Sequence, residues 1–332
     1  MNYIGSKYRL LPFLEKSILS TIDGKLSDKV FCDIFAGTGA VGRYFKPQVN
    51  SVIANDMEYY SYVLNRNYIG NTKSLNTQKW LKILRGLGGA EGFIYKNYCK
   101  SGHGDRNYFT DENGKKIDAV RNQIKDWKSK NEIDQDVYFF LLASLLESAD
   151  KVANTASVYG AYLKHIKKTA AKSLDISPAA FDLTDGNHIV YQEDANELIK
   201  RISGDILYLD PPYNARQYGS NYHMLNTIAT YEEFEPKGKT GLPEYNRSDY
   251  CSKRTVTESF EQLISDAQFE YVFLSYNNEG LMTHEQITEI MNQYGKVELK
   301  TTAYSRFKAD KTENRNHTAS AVEEYLFCLR KN

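Results

Sequence analysis

Short apolar runs alternate with longer segments of mixed polarity along most of this 332-residue chain. Apolar runs bounded by glycine, proline or an acidic residue predict buried strands, and apolar residues that recur every three or four positions predict amphipathic helices. We therefore predict strands at 30–35, 51–55, 188–192, 205–209, 270–275, 297–304 and 321–329. The last two strands are expected to pair as a hairpin at the edge of the sheet.

Helices are predicted between these strands. Thr283 and Gln286 have the spacing of a capping box, which predicts a helix that begins after Thr283. The other predicted helices are one near the N-terminus, one after the glycines at 37 and 39, and those at 57–69, 76–87, 115–130, 134–151 and 194–202. Strands and helices alternate at both ends of the chain, but only helices are predicted in its middle. This pattern predicts an α/β domain with a mostly helical insertion.

One strand ends in an unusual group of polar residues. Residues 205–213 read Asp-Ile-Leu-Tyr-Leu-Asp-Pro-Pro-Tyr. Pro211 and Pro212 lack a backbone N–H, so they end the strand and stiffen the turn. Asp210 and the Pro211 carbonyl can accept hydrogen bonds from an exocyclic amine, and Tyr213 offers a ring face to a planar base. The set suits the amine of a nucleobase taken out of its stack, although Asp-Pro-Pro alone also fits an ordinary strand-ending turn.

A second motif follows the first predicted strand, where residues 30–42 read Val-Phe-Cys-Asp-Ile-Phe-Ala-Gly-Thr-Gly-Ala-Val-Gly. Gly37 and Gly39 allow the backbone to approach a ligand closely before a helix begins. Asp33 precedes these glycines, and its charge would repel a pyrophosphate and favour the ammonium of an amino-acid-like cofactor. Asp56 ends the next strand about twenty residues later, at the position that accepts hydrogen bonds from ribose hydroxyls.

Together these motifs resemble those of the class I S-adenosylmethionine-dependent methyltransferases. They are most similar to the adenine-N6 DNA methyltransferases of the D12 (Dam-like) class, and especially to FokI-type modification methylases. The resemblance extends to residues 2–11, 191–195, 214–218, 221–226, 248–252, 273–280 and 304–308. It implies a Rossmann-like, doubly wound domain with a mostly parallel seven-stranded sheet that has one antiparallel strand, formed by 1–70 and 186–332. Residues 71–185 would form an inserted target-recognition domain, and 232–255 a further loop close to DNA.

The resemblance also implies roles for single residues. Methyl transfer from S-adenosylmethionine to the N6 amine of a flipped-out adenine would use Asp210, Pro211, Pro212 and Tyr213. Lys7 and Asp33 would bind the amino-acid end of the cofactor, Asp56 its ribose and Asp194 its adenine amine. The full implied cofactor set is Tyr3, Gly5, Lys7, Asp33, Phe35, Ala36, Gly37, Thr38, Gly39, Asp56, Met57, Asp194 and Ala195. Simpler roles stay open: a helix N-cap for Asp194, a solvated lysine for Lys7 and a turn residue for Asp56.

The formal net charge is zero, which is unusual for a DNA-binding protein, but the charge is unevenly distributed. Residues 71–130 contain 13 Lys or Arg against 6 Asp or Glu, and residues 151–172 contain 5 lysines and no acid. Such runs usually form a solvated face, but two of them in one segment favour a phosphate-contacting surface. The predicted DNA-binding residues are Arg121, Lys125, Lys128, Arg216, Arg247, Lys253, Arg254, Arg306 and Lys308, with Lys164, Lys167 and Lys168 as further candidates.

Other functions stay open at this point. The same tetrapeptide could serve an RNA base methyltransferase, a cytosine-N4 methyltransferase or a relative that binds DNA without catalysis. A zinc deaminase is disfavoured because it needs His and Cys clusters, whereas the four cysteines are scattered, and we predict no metal site. We find no signal peptide and no long apolar run, so we expect a cytoplasmic bacterial or phage protein. Its expected partners are duplex DNA and, in function only, a restriction endonuclease.

Overall fold

The computed structural model describes residues 7–305 and 321–332. Its strands form a seven-stranded sheet in the order β3-β2-β1-β4-β5-β7-β6. The strands are β1 (Val30–Asp33), β2 (Ser51–Asn55), β3 (Ile189–Tyr191), β4 (Ser203–Leu209), β5 (Gln268–Asn277), β6 (Gly295–Ser305) and β7 (Ala321–Lys331). Neighbours from β3 to β5 are parallel, whereas β7 is antiparallel to β5 and β6. The predicted mostly parallel sheet with one antiparallel strand is confirmed.

The helices of the described residues are α1 (Leu11–Leu19), α2 (Ala40–Phe45), α3 (Tyr59–Asn65), α4 (Gln78–Gly86), α5 (Phe93–Tyr98), α6 (Asp111–Ser129), α7 (Gln135–Lys151), α8 (Ala195–Leu198), α9 (Tyr218–Asn221), α10 (His223–Thr230), α11 (Val256–Asp266) and α12 (His284–Asn292). The predicted capping box of Thr283 and Gln286 is present at the start of α12. The helix predicted at 194–202 is wrong after Leu198, because the chain leaves the helix in a turn before β4. Four helices, α5, α9, α10 and α11, were not predicted from the sequence.

The chain divides into two compact units. The sheet unit contains residues 7–57, 184–217, 246–305 and 321–332, and the helical unit contains 58–183 and 218–245. These limits differ from the predicted insertion at 71–185, because α3 and the segment with α9 and α10 also belong to the helical unit. The predicted loop at 232–255 is divided between the two units after residue 245.

Both faces of the central sheet are covered. Side chains from α8, α11 and α12, including Leu198, Phe260 and Ile287, join one continuous apolar core with the strands. On the opposite face Phe45 of α2 stacks on Phe31 of β1, with ring centroids 4.6 Å apart. Parallel strands covered on both faces need nearly continuous apolar sequence, which is why the short apolar runs predicted them well.

Strand order reverses between β1 and β4. From β1 the chain continues to β2 and β3 on one side of the sheet, and β4 leads to β5 on the other. Asp33, the last residue of β1, lies beside Tyr208 of β4 in the register of this pair. Open α/β sheets bind their ligands at the carboxyl ends of the strands that flank such a reversal. The two sequence motifs therefore meet at the position where this fold forms a ligand site.

Residues 152–188, of which 152–183 belong to the helical unit, connect α7 to β3 without a helix or strand. Two buried asparagines position this segment. Asn154 donates to the Leu163 carbonyl at 3.0 Å and accepts from the Lys167 N–H at 3.0 Å. Asn113 accepts from the Leu174 N–H at 2.8 Å. These amide contacts replace the backbone hydrogen bonds that a regular element would supply.

Candidate active site

The tetrapeptide at 210–213 follows directly on β4. Pro211 is buried and Tyr213 half-buried. The Tyr213 carbonyl accepts a hydrogen bond from the Leu281 N–H at 3.0 Å. The Tyr213 ring meets the Tyr276 ring edge-on, with centroids 5.7 Å apart. Contacts from β5 and the loop that follows it therefore fix the aromatic ring beside the strand end.

Asp210 forms a buried ion pair. Lys7 Nζ lies 2.9 Å from Asp210 Oδ1, and the two side chains are only 4% and 18% exposed. Burial raises the pKa of Asp210, and the Lys7 ammonium opposes that rise. The same ammonium lies 5.5 Å from the centroid of the Tyr213 ring. The alternative role of a solvated lysine is therefore wrong for Lys7, whose charge lies against the predicted catalytic carboxylate.

Asp33 is a second buried carboxylate at this edge, with 1% of its surface exposed. Its Oδ2 accepts a hydrogen bond from the Gly42 N–H at 3.0 Å, whereas its Oδ1 is buried with no hydrogen-bond partner among the described residues. Burial raises the pKa of Asp33 to about 8, and the charges of Asp210 and Asp56 add to the rise. A cation bound beside Oδ1 would satisfy this oxygen and favour the ionised form.

The turn after β1 adopts the left-handed backbone conformation that glycine permits. Gly37 and Gly39 have φ angles of 52° and 77°, in the left-handed region that side chains disfavour. The Gly37 N–H donates to Asp56 Oδ2 at 2.8 Å. Asp56 therefore closes the glycine turn from the end of β2, through one of its two carboxylate oxygens.

The other predicted cofactor residues surround this turn. Asp194 is the N-cap of α8, as its alternative role required, and its Oδ1 accepts from the N–H groups of Asn196 and Glu197 at 2.9 and 3.2 Å. Phe35 packs edge-on against Tyr250, with ring centroids 4.9 Å apart. Ala36 and Ala195 are buried, and Thr38 and Met57 are half-buried. Tyr3 and Gly5 lie outside the described residues.

The structure thus brings one acidic residue to the same edge from each of four neighbouring parallel strands. These residues follow or end β3, β2, β1 and β4 in spatial order, and they are Asp194, Asp56, Asp33 and Asp210. Parallel strands end at a common edge, which is why acids far apart in the sequence form this row.

Four of the predicted DNA-binding residues are exposed on the sheet unit: Arg216, which follows the tetrapeptide in the chain, and Arg247, Lys253 and Arg254 of a later loop. Two hydrogen bonds join the segment after Tyr213 to the loop that carries the last three. Gln217 Nε2 donates to the Ser248 carbonyl at 3.3 Å, and the Ser248 N–H donates to Gln217 Oε1 at 2.8 Å. These hydrogen bonds join the segment that carries Arg216 to the loop that carries the other three basic residues.

The structure corrects the role predicted for Arg121 in DNA binding. It is 4% exposed, and its guanidinium donates to the carbonyls of Ile228 and Ala229 at 3.1 and 3.0 Å, at the end of α10. Cations stabilise helix C-termini by this contact, so Arg121 caps α10 and is not placed to meet a phosphate. Sequence periodicity alone did not show which helix would cover it.

The remaining basic candidates differ in exposure. Lys125, Lys164 and Lys168 are exposed. Lys128 is half-buried beside the Tyr138 ring, with Nζ 5.5 Å from the centroid, and Lys167 donates to the Thr155 carbonyl at 2.6 Å. Arg306 and Lys308 lie outside the described residues.

Sequence reasoning missed a group of buried polar residues next to the site: Tyr208, Ser275, Asn277 and Glu324. Each interrupts an otherwise apolar strand face near the carboxylates. Every second residue of a strand faces the same side, so polar residues at alternate positions of 271–277 could have identified two of them. Glu324 does not lie in a recognisable sequence motif. Only its pairing with Asn277 in the sheet shows that it lies near the site.

The sheet order and the acidic row at its reversal define a Rossmann-like fold of the class I methyltransferases. Residues 3–290 match the model of the family "D12 class N6 adenine-specific DNA methyltransferase". The chain is 63% identical to the type II methyltransferase M.NlaIII of Neisseria lactamica, over 100% of this chain and 99% of that protein. It is 38% identical to M.FokI of Planomicrobium okeanokoites, over 100% of this chain but 53% of that protein. It is 39% identical to M.CviAII of Paramecium bursaria Chlorella virus 1, over 98% of this chain and 97% of that protein.

The chain therefore belongs to the D12 class N6 adenine-specific DNA methyltransferases. The predicted family and enzyme class, a DNA adenine-N6 methyltransferase, are confirmed. Within the described residues no cluster of three or more His, Cys, Asp or Glu side chains could hold a metal ion. None of the helices in this part of the chain is long and apolar enough to cross a membrane.

Proposed function

We propose that this protein is the modification methyltransferase of a type II restriction-modification system. It transfers the methyl group of S-adenosylmethionine to N6 of an adenine flipped out of a specific duplex DNA sequence. The observation that carries the proposal is the position of residues 210–213 beside Asp33 and the glycine turn, at the reversal of a sheet that belongs to the D12 family. The type II methyltransferases M.NlaIII and M.FokI support the restriction-modification role.

The tetrapeptide activates a weak nucleophile. The N6 lone pair of adenine is delocalised into the ring, so the flat amine reacts poorly. Asp210 and the Pro211 carbonyl each accept one N–H of this amine, which favours a pyramidal nitrogen with its lone pair directed at the methyl donor. Both acceptors are attached to a stiff Pro-Pro turn, so they lie in place before the base arrives. The fixed acceptors also stabilise the positive charge that forms on nitrogen.

Tyr213 binds the target base by stacking. Tyr276 holds the Tyr213 ring edge-on. Tyr213 follows Asp210 closely in the chain, so a base that stacks on the Tyr213 ring places its amine near the Asp210 carboxylate. Stacking on an aromatic side chain contributes about 1–3 kcal/mol and does not depend on the base. The acceptors therefore select a base with an exocyclic NH2 group, a feature that adenine shares with cytosine and guanine.

The row of acids fits S-adenosylmethionine. The buried, unpartnered Oδ1 of Asp33 suits an ammonium, and the positive φ angles of Gly37 and Gly39 allow close backbone approach. Asp56 and Asp194 follow with acceptors for the ribose hydroxyls and the adenine amine. When bound, the cofactor supplies an electrophilic methyl group on a sulfonium. The protein residues orient the two reactants and exclude water.

DNA contacts divide between the two units. Arg216, Arg247, Lys253 and Arg254 form an exposed basic surface on the sheet unit, which suits phosphates near the flipped base. We assign target recognition to the helical unit, whose exposed lysines include Lys125, Lys164 and Lys168. Arg121 is left out of this surface because it caps α10.

Transfer of a labelled methyl group from S-adenosylmethionine to unmethylated genomic DNA tests the proposal. The modified DNA is digested to nucleosides, which are identified by mass spectrometry, and the modified positions are found by sequencing. We expect N6-methyladenine within one short sequence. N4-methylcytosine would contradict the substrate atom, label in RNA but not in duplex DNA would favour the RNA alternative, and no transfer to either would favour a non-catalytic relative.

A further inference from the structure

The sheet face next to the site carries polar side chains where apolar ones are usual. In the register of the strands, Asp33 pairs with Tyr208, Tyr208 with Phe273, and Asn277 with Glu324. Side chains alternate between faces along each strand, so one face carries Asp33, Tyr208, Ser275, Asn277 and Glu324. All five are at most 6% exposed. A central sheet that served stability alone would bury apolar residues here.

The partners of this buried polar face are incomplete. Asp33 Oδ1 and Glu324 Oε2 have no hydrogen-bond partner among the described residues, whereas Ser275 and Asn277 are polar partners of Tyr208 and Glu324. A buried polar group without a partner costs stability, so each one calls for an explanation. Asp33 is accounted for by the proposed cofactor, but Tyr208 lies on β4, the strand that Asp210 follows, and Glu324 lies on β7, beyond β5. The site therefore contains an electrostatic element that the cofactor does not explain.

The ammonium of Lys7 interacts both with Asp210 and with the charged and polar groups of this buried face. Burial opposes the charged form of Lys7 more strongly than any single neighbour favours it, but Asp210, Tyr213, Tyr208 and Glu324 together raise its pKa well above the usual value. The contact with Asp210 is direct, at 2.9 Å between Nζ and Oδ1. Lys7 is thus a permanent positive charge next to the catalytic carboxylate.

We propose that Lys7 is a positioning residue for methyl transfer: its ammonium occupies Asp210 Oδ1, keeps the buried carboxylate ionised and leaves the second oxygen for the target amine. This role replaces the cofactor contact that the family resemblance implied. It rests on the proposed function of Asp210. Glu324 is a second carboxylate that acts on the same ammonium, and it lies on β7, beyond the residues matched by the family model.

Lys7 matters to Asp210 because it supplies the positive charge that acts on this carboxylate. A buried carboxylate favours its neutral form, and a protonated carboxyl has less acceptor capacity. An opposite charge within about 4–6 Å lowers a carboxyl pKa by about 1–3 units. Tyr208, Tyr213, Asp33 and Glu324 also face this group, but none of them supplies a positive charge. Loss of Lys7 must therefore raise the pKa of Asp210, whereas loss of the Glu324 charge can only lower it or leave it unchanged.

The test compares Lys7→Met, Lys7→Arg and Glu324→Gln with the wild-type protein. The kcat/KM for methyl transfer to unmethylated genomic DNA is measured from acidic to alkaline pH, and S-adenosylmethionine affinity is measured by calorimetry. In Lys7→Met we expect the acidic limb of the profile to move up by about one pH unit or more, with cofactor affinity within threefold of wild type. Lys7→Arg should keep the limb in place at reduced kcat. Glu324→Gln, a matched change in the same buried face, should not move the limb upward.

Three outcomes would overturn the inference. The first is a folded Lys7→Met protein with an unmoved acidic limb. The second is a loss of cofactor affinity of tenfold or more without a change of the limb, which would place Lys7 in the cofactor site. The third is an equal upward shift in Lys7→Met and Glu324→Gln, which would indicate general disruption of the buried face. Thermal unfolding checks the fold of each variant, and Lys7→Gln replaces Lys7→Met if the latter does not fold. A wild-type protein that methylates no DNA would instead contradict the proposed function itself.

Discussion

Buried charges have opposite meanings in the two units of this protein. In the sheet unit Asp33 is buried and Asp210 partly buried at a sheet edge, and one Asp33 oxygen lacks a partner among the described residues. In the helical unit Arg121 is also buried and its Nη1 also lacks a partner there, but its Nε and Nη2 donate to the carbonyls that end α10. Burial alone therefore does not identify a functional charge. The difference lies in the partners: the end of α10 accounts for the position of Arg121, whereas Asp33 lies beside the glycine turn, where a bound cation would complete its second oxygen.

The two units also differ in how well strand and helix patterns predict side-chain position. A residue that ends a parallel strand must lie at the shared edge of the sheet, and the sequence predicted strand ends at Asp33, Asp56 and Asp210. A residue on a helix can face solvent or a neighbouring helix, and spacing does not decide which. Mutations that compare the units test whether this contrast extends to function.

The largest effect should come from Asp210→Ala. The substitution removes the acceptor for the target amine, and we expect methyl transfer to fall by about 10³-fold or more. Cofactor affinity, measured by calorimetry, should stay within about tenfold, because the carboxylate acts on the base. A folded variant with a substantial fraction of wild-type turnover would show that the edge carboxylate has no catalytic role.

Tyr213→Ala should be the next most severe change. Loss of the stacking surface removes about 1–3 kcal/mol of base binding, equivalent to roughly 5- to 150-fold in kcat/KM. Tyr213→Phe and Tyr213→Trp are the controls and should retain much of the activity, since the ring face rather than the hydroxyl binds the base. If Phe were as damaging as Ala, the hydroxyl would be the functional group and the stacking role would be wrong.

Asp56→Ala should weaken cofactor binding by at least tenfold, because charge-assisted hydrogen bonds contribute about 1.5–3 kcal/mol each. Asp56 also accepts the Gly37 N–H, so Asp56→Asn is the matched control: it can keep that bond and loses only the charge. We expect a smaller loss of affinity for Asn than for Ala, with DNA binding unchanged in both. Unaltered cofactor affinity in a folded Ala variant would leave Asp56 as a turn residue only.

Cofactor binding should release protons from Asp33. Burial raises its pKa to about 8, so at neutral pH it is mostly protonated in the free protein. An ammonium bound at Oδ1 would favour the carboxylate, so cofactor binding should release a fraction of a proton below pH 8 and less above it. Calorimetry in buffers of different ionisation enthalpy measures this release, and Asp33→Asn should remove it. Proton uptake on binding would contradict the assignment.

The sequence predicted the strands of the sheet, its terminal hairpin and the strand-end acids Asp33, Asp56 and Asp210, because each depends on local runs and on where a strand ends. It did not predict α10, although Met224, Leu225 and Ile228 have helical spacing, because the segment was interpreted only as part of a family motif. Glu324 and the burial of Arg121 depend on which elements become neighbours, and such contacts leave no local pattern. In both units, the features that were not predicted depend on tertiary contacts.

The smallest effects should separate Arg121 from the exposed lysines of the helical unit. Arg121→Met removes the cap of α10 and should lower the free energy of unfolding by about 1–3 kcal/mol, as measured by urea denaturation. The slope of log affinity for DNA against log salt should not change. Lys164→Gln and Lys168→Gln should do the opposite: stability stays within about 0.5 kcal/mol, and the slope falls by about 0.9 for each DNA phosphate that the variant no longer neutralises. Lys125→Gln extends the comparison to α6, the helix that carries Arg121. A reduced slope in Arg121→Met with unchanged stability would return this arginine to the DNA surface. Unchanged slopes in all three lysine variants would mean that the helical unit contacts DNA elsewhere.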